Sequence, residues 1–334
     1  MGISLKKIAN AAGVSEATAS LALNNRPGVN IDTKKRVQDI AKKMGYFPSA
    51  NAQSLAKKKS GFIGVLVPNI ANLLYSALVR GIEAILRKRG YKMILATTEN
   101  NIDYEREMIE HFISFRVEGV IIYPMIQNND DPAYLNLLKM NDIPLIFIGS
   151  YYKGIKASHV MSDIYGAICN AAEFLYHKGC RSFYYFGGCK SIVSNTLKIK
   201  ALQDTLKDEG QDFQEDHYIE LDQTNYECAY ENARKLFAST KDVDAVITAD
   251  AYTSLAVYNA LIESGLKVPD DVSLISFDNL MLPEICATRL TCIEQNIDVI
   301  TKDTIDELFE KIAGNDTDKD ILIKTNLIIR DTTK

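Results

Sequence analysis

From residue 61 onward, short apolar runs alternate with segments patterned as helices, and this alternation leaves few folds open to the chain. GFIGVLVP (61–68) reads as a buried strand, and 72–89 as a helix that turns Leu74, Leu78, Ile82, Ile85 and Leu86 inward. KMILAT (92–97), a helix near 103–115, the strand GVIIYP (119–124), a segment at 132–141 and PLIFIG (144–149) continue the scheme. A second half repeats it, with helix 163–178, FYYFGG (183–188), helix 195–209, YIEL (218–221), helix 225–238, AVITA (245–249), helix 252–264 and SLISF (273–277). Strands apolar on both faces, each followed by a helix, predict doubly wound parallel sheets. Two such halves predict an α/β body of two lobes, with a ligand cleft at the carboxyl ends of the strands. A chain of 334 residues with 47% hydrophobic content exceeds one typical domain and can bury such cores.

The first 45 residues follow a different rule. Ser4 is placed to cap a helix from Leu5 to Ala12, Gly13 supplies a tight turn, and Ser15 caps a second helix to about Asn24. Ile8, Ala12, Val14, Ala19 and Ala22 are the expected buried positions, with small Ala9 where the helices cross. Ser15, Glu16, Ala17, Thr18, Ser20 and Leu21 are left facing outward, where the start of a helix in a major groove meets base edges. A third helix is expected from about Asp32 to Met44, stopped at Gly45. A helical hairpin that merely packs has the same local pattern, but charge separates the readings. Residues 1–60 hold eleven Lys/Arg against three acids, a net +8, so the whole-chain −5 leaves −13 on the remaining 274 residues. A basic head on an acidic body predicts an all-α helix-turn-helix module that binds polyanionic DNA.

At this point the chain resembles the LacI family of bacterial transcription regulators. GVSEATASLALN (13–24) resembles the family's GVSxxTVSRVLN signature, and GYFPSANAQSLAKKKSGFIGVLVPNIAN (45–72) its hinge and first strand. RVEGVII (116–122), KGCRSFYYFGG (178–188), GLKVPDDVSLISFDN (265–279) and LTCIEQ (290–295) match further along, in order. The resemblance implies a DNA-binding domain at 1–48, a hinge helix at 49–60, and a periplasmic-binding-protein-like body at 61–334 that binds an effector and dimerises. Its first lobe would comprise about 61–160 and 293–320, its second about 161–290 and 321–334, with three crossings between them. It further implies a cytoplasmic homodimer bound to a pseudo-palindromic double-stranded operator, released or recruited by a small, sugar-like effector.

Residue by residue, the resemblance places DNA contacts at Ser4, Ser15, Glu16, Ala17, Thr18, Ser20, Leu21, Asn24, Gly28, Asn51, Ser54 and Leu55. Leu55 matches the leucine that wedges into the minor groove, with Lys57, Lys58 and Lys59 near phosphates. Effector contacts fall at Asn72, Leu74, Tyr75, Ser194, Lys198, Thr224, Asp250 and Asp278. Several positions depart from the family's habit. Lys198 replaces an arginine, offering a point charge in place of a fork. Asp250-Ala251 replaces an Asn-Asp pair, Gly149 a frequent aspartate, and Gln223 or Thr224 an aromatic platform. Leu21 stands where an arginine able to read guanine is usual, so the operator is expected to differ there.

Other classes find little in the sequence. The six cysteines show no CxxC spacing and the four histidines no ligand spacing, so no metal or other cofactor is expected. GxGxxG, GxxxxGKS/T, GxSxG and HExxH are absent, and FGGC (186–189) reads as a structural turn. No apolar run approaches a membrane span, and MGISLKK lacks the core of a signal peptide. A metabolite sensor acting through a protein co-regulator and a carbohydrate-active enzyme remain the alternatives. The enzyme reading leaves the basic helix-turn-helix without a purpose.

Overall fold

The structure, a computed structural model, describes residues 3–46, 60–124, 131–279 and 288–334. The chain divides into two compact units, 1–61 and 62–334. In the first, α1 (Leu5–Ala12), α2 (Glu16–Leu23) and α3 (Ile31–Lys43) each begin at a polar cap. The side chains of Ser4, Ser15 and Asn30 accept from the backbone N–H of Lys7, Thr18 and Thr33, satisfying donors that a helix start leaves orphaned. Gly13, at φ +64°, ends α1 in the left-handed conformation that the tight turn needs. Ile8, Ala9, Ala12, Ala19, Ala22, Val37 and Ala41 form the buried core, while Val14 is only half-buried. Five of those seven are alanines, so the helices approach closely and the core has little volume to spare. Asn51, Ser54, Leu55 and the three lysines at 57–59 lie outside the described residues.

The second unit contains two six-stranded sheets. The first runs β11-β5-β4-β3-β1-β2, from β1 (Phe62–Val67), β2 (Lys92–Thr97), β3 (Val120–Ile122), β4 (Leu145–Ile148), β5 (Ser158–Ser162) and β11 (Asp320–Ile323). The second runs β12-β10-β9-β8-β6-β7, from β6 (Phe183–Gly187), β7 (Tyr218–Glu220), β8 (Ala245–Thr248), β9 (Ser273–Phe277), β10 (Thr291–Glu294) and β12 (Asn326–Ile328). All pairings are parallel except β12 on β10, which is antiparallel and departs from the expected purely parallel sheet. Helices cover both faces, which is why central strands such as β1, β3, β4 and β8 are largely apolar along their length. On one face of the first sheet, Ile63, Val65 and Val67 pack with Leu78 and Ile82 of α4 (Leu73–Lys88). On the other, Leu66, Ile122 and Phe147 meet Ile109 and Phe112 of α5 (Ile102–Ser114).

The chain crosses between sheets after Ser162, after Glu294 and after Ile323. The expected lobe segments end at about 160, 290 and 320, two to four residues before these points. SHVMS (158–162) and DILI (320–323) are too short and mixed to signal strands alone. They become strands by pairing with each other, Asp320 opposite His159. The helix at 195–209 begins two residues earlier than expected, as Val193–Asp208, so Ser194 belongs to its first turn. The five described cysteines are free thiols, and Cys286 lies outside the described residues. Among the described residues no helix is long and apolar enough to cross a membrane, and no cluster of metal-ligating side chains occurs.

Candidate functional site

One cleft, with a cavity volume of about 110 Å³ and partly open to solvent, receives the carboxyl ends of strands from both sheets. Its floor and walls include all eight expected effector residues: Asn72, Leu74, Tyr75, Ser194, Lys198, Thr224, Asp250 and Asp278. Each arrives on the turn after a strand or on the first turns of the helix that follows. Asn72 caps α4, its side-chain carbonyl accepting from Leu74 N at 2.8 Å, which turns Leu74 and Tyr75 inward. Asp250 caps α10 (Ala251–Glu263) by accepting from Thr253 N at 2.8 Å, and Asp278 follows β9 directly. Ser194 and Lys198 project from α8 (Val193–Asp208).

The charged groups all come from the second lobe, and three of them are buried. Lys198, Asp250 and Asp278 expose only 6%, 6% and 5% of their surface. Among the described residues Lys198 makes no ion pair; its ammonium lies 4.3 Å from the centre of the Phe277 ring, a cation–π contact. Burial holds this lysine below its usual range, opposed by attraction to Asp278 and Asp250. Burial likewise raises both carboxyls. Asp250 is restrained mainly by its bonds to the helix start, whereas Asp278 is pushed up to about 6 despite the amide of Gln295 and the charge of Lys198. Asp278 also holds φ +91°, a backbone conformation rare outside glycine and costing roughly 1–3 kcal/mol.

The first lobe supplies rings and amides. Tyr75 and Tyr123 meet edge to face, their centroids 4.8 Å apart. Burial raises both phenols, so they stay protonated donors across physiological pH. Tyr123 is not among the expected site residues, nor are Asn100, Asn195 and Gln295. Position is the signal that could have found two of them. Tyr123 belongs to the end of the run GVIIYP and Gln295 ends LTCIEQ, and strand ends of this fold point to the cleft. Gly188 and Cys189, read from FGGC as a structural turn, also line it.

Gly149 explains how Tyr123 reaches its place. At φ +74°, a Cβ on residue 149 would stand 2.1 Å from Tyr123 Cε2, so the ring occupies the volume that a side chain would take. Gly149→Ala is therefore expected to cost about 2–4 kcal/mol, from left-handed strain and overpacking together. Urea midpoints check this, and the same Gly149→Ala change made in a Tyr123→Ala background should lose its packing share. A cost undiminished in that background would show that the ring is not the obstacle.

In the first unit, Ser4, Ser15, Glu16, Ala17 and Gly28 are exposed, while Thr18, Ser20, Leu21 and Asn24 are half-buried. Ser15 and Thr18 also bond each other at 2.8 Å, and Asn24 donates to Ser20 O at 2.9 Å, closing the helix end. Three of the expected readers thus hold the helix they belong to.

Residues 4–49 match the family model described as bacterial regulatory proteins, lacI family, and residues 172–333 match a periplasmic binding protein-like domain. Catabolite control protein A of Priestia megaterium is 28% identical over 296 residues, 88% of each chain, and that of Staphylococcus xylosus is 28% identical over 300. The lac repressor dimer bound to operator and an anti-inducer superposes with a TM-score of 0.86 at 22% identity, covering 100% of this chain and 99% of that one. A periplasmic binding protein/LacI transcriptional regulator from Alkaliphilus metalliredigens, solved with D-xylulofuranose, gives 0.72 at 25% identity, over 82% of this chain and 99% of that one.

Proposed function

We propose that the chain, which carries a lacI-family helix-turn-helix domain at 4–49 and a periplasmic binding protein-like domain at 172–333, is a homodimeric repressor whose grip on operator DNA is set by an uncharged, sugar-like effector. The observation that carries this is the convergence of all eight expected effector residues on one cleft, in a chain that begins with a basic helix-turn-helix. The buried groups suit hydroxyls. Two carboxylates accept, two phenols and an ammonium donate, and a ring face offers packing to C–H groups. Three acids line the cleft against one base, which disfavours a phosphorylated ligand. The regulator bound to D-xylulofuranose supports the same class.

In this reading residues 1–48 read DNA, 49–60 act as the hinge, and 61–334 sense the effector in the cytoplasm by binding, not turnover. Effector binding changes lobe closure, and closure biases the dimer's hold on its operator; the two affinities are linked reciprocally. Selection of operators from random DNA by the full chain tests the reading side. Ser20→Arg and Glu16→Lys should each reorder the preferred operators, by about tenfold or more at one base position per half-site. An unchanged ranking for both would mean that α2 is not the reader. A turnover assay with sugars and glycosides tests the catalytic alternative.

A further inference from the structure

Gln295 sits in the second crossing, between β10 of the second sheet and α11 (Ile297–Ile312), which packs on the first. Its amide is engaged at both ends. Its Oε1 accepts from Ser162 Oγ at 2.6 Å, and Ser162 is the last residue of β5, where the first crossing begins. Its Nε2 donates to Asp278 Oδ1 in the cleft, the sole hydrogen bond on that carboxylate among the described residues. The first crossing is tied in turn to the third, since Asp163 N donates to Ile323 O at 2.8 Å. A planar amide cannot turn one end without the other. A change at Asp278 that pulls or releases Nε2 must therefore shift Oε1 against Ser162.

We propose that Gln295 is a positioning residue, a two-ended strap that carries the state of the Asp278 carboxylate to the first crossing at Ser162 and so to the relation between lobes. The proposal rests on the effector reading of the cleft, yet the proton can serve as the probe. Asp278 gains a proton as pH falls past about 6. The other titratable groups that face it are Lys198, Asp250, Tyr75, Tyr123, Tyr185 and Cys292.

The experiment measures hydrogen-exchange protection of the Asp163 amide at pH 5 and pH 7 in the full chain, without DNA or sugar. The parent should change protection about tenfold between the two, the worth of one buried hydrogen bond. Gln295→Leu, which breaks both ends, and Ser162→Ala, which breaks only the far end, should each flatten that response. Asp278→Asn should flatten it too, identifying the titrating group. Carboxyl NMR then separates a strap from a packing role. Gln295→Leu should move the Asp278 midpoint upward, and Ser162→Ala should leave it in place. Equal protection at both pH values in the parent, or a response that survives in Ser162→Ala, overturns the proposal. Both measurements are made without sugar, so a failed effector screen is a separate result that bears on the cleft and not on the strap.

Discussion

Ala19→Asp is expected to unfold the helix-turn-helix unit and abolish operator binding while the two-lobed body stays folded. Ala19 has no exposed surface and packs in a core of seven residues, most of them alanines. An aspartate there has neither room nor a buried partner, a change worth roughly 3–5 kcal/mol. A unit this small stands only about 3–5 kcal/mol above its unfolded state, so the substitution consumes the whole margin. Calorimetry should show the melting of the first unit lost and that of the body retained, with operator affinity by fluorescence anisotropy down by more than about a hundredfold. Ala17→Asp, exposed on the same helix, is the control and should leave melting unchanged. Native melting of the Ala19→Asp protein would mean that α2 does not turn this face inward.

The second large effect has opposite signs on stability and function. Asp278→Asn should stabilise the body at pH 7 by about 2–3 kcal/mol and weaken effector binding about tenfold or more. The carboxyl is raised to about 6 in the folded protein, chiefly by burial, against roughly 3.9 in an unfolded chain. Between those values the native state holds a proton that the unfolded state has lost. Stability from this group therefore declines as pH rises through about 4 to 6 and stays low above it. Asparagine carries no charge to desolvate, tolerates positive φ well, and can still accept from Gln295. Lys198 would then keep only Asp250 for compensation, which trims the gain. The stability advantage should be absent below about pH 4, where both proteins are neutral at 278. Equal melting temperatures at pH 7, or a parent whose stability is flat across that range, would show that the carboxyl is not under this strain. Unchanged effector affinity by calorimetry would place the ligand elsewhere.

The local signals in this chain are strong enough to be read without coordinates. Helical spacing of apolar residues, capping serines and turn glycines act within a few residues, so α1 is Leu5–Ala12 from sequence and structure alike. The strands KMILAT and SLISF likewise keep their limits; SLISF is buried along its whole length, whereas KMILAT lies at the edge of its sheet and is half-buried to exposed. Strand ends of a doubly wound sheet converge by topology, which is why the family resemblance could carry Asp278 and Asp250 onto a cleft that the alternation of strands and helices already implied. Sequence determined the two kinds of module, their order, and most of the polar groups that meet between the lobes. Only the tertiary structure decided what depends on partners distant in the chain. Strands β5 and β11 exist because they pair across some 160 residues, and each is too short to declare itself. Tyr123 enters the cleft because Gly149, 26 positions later, leaves the space. The raised carboxyl of Asp278 and the double engagement of Gln295 likewise come from burial and contacts assembled by three crossings. Periodicity reports what a residue does within its own turn or strand; desolvation, close approach and strap-like bonding are set by neighbours that only folding brings near.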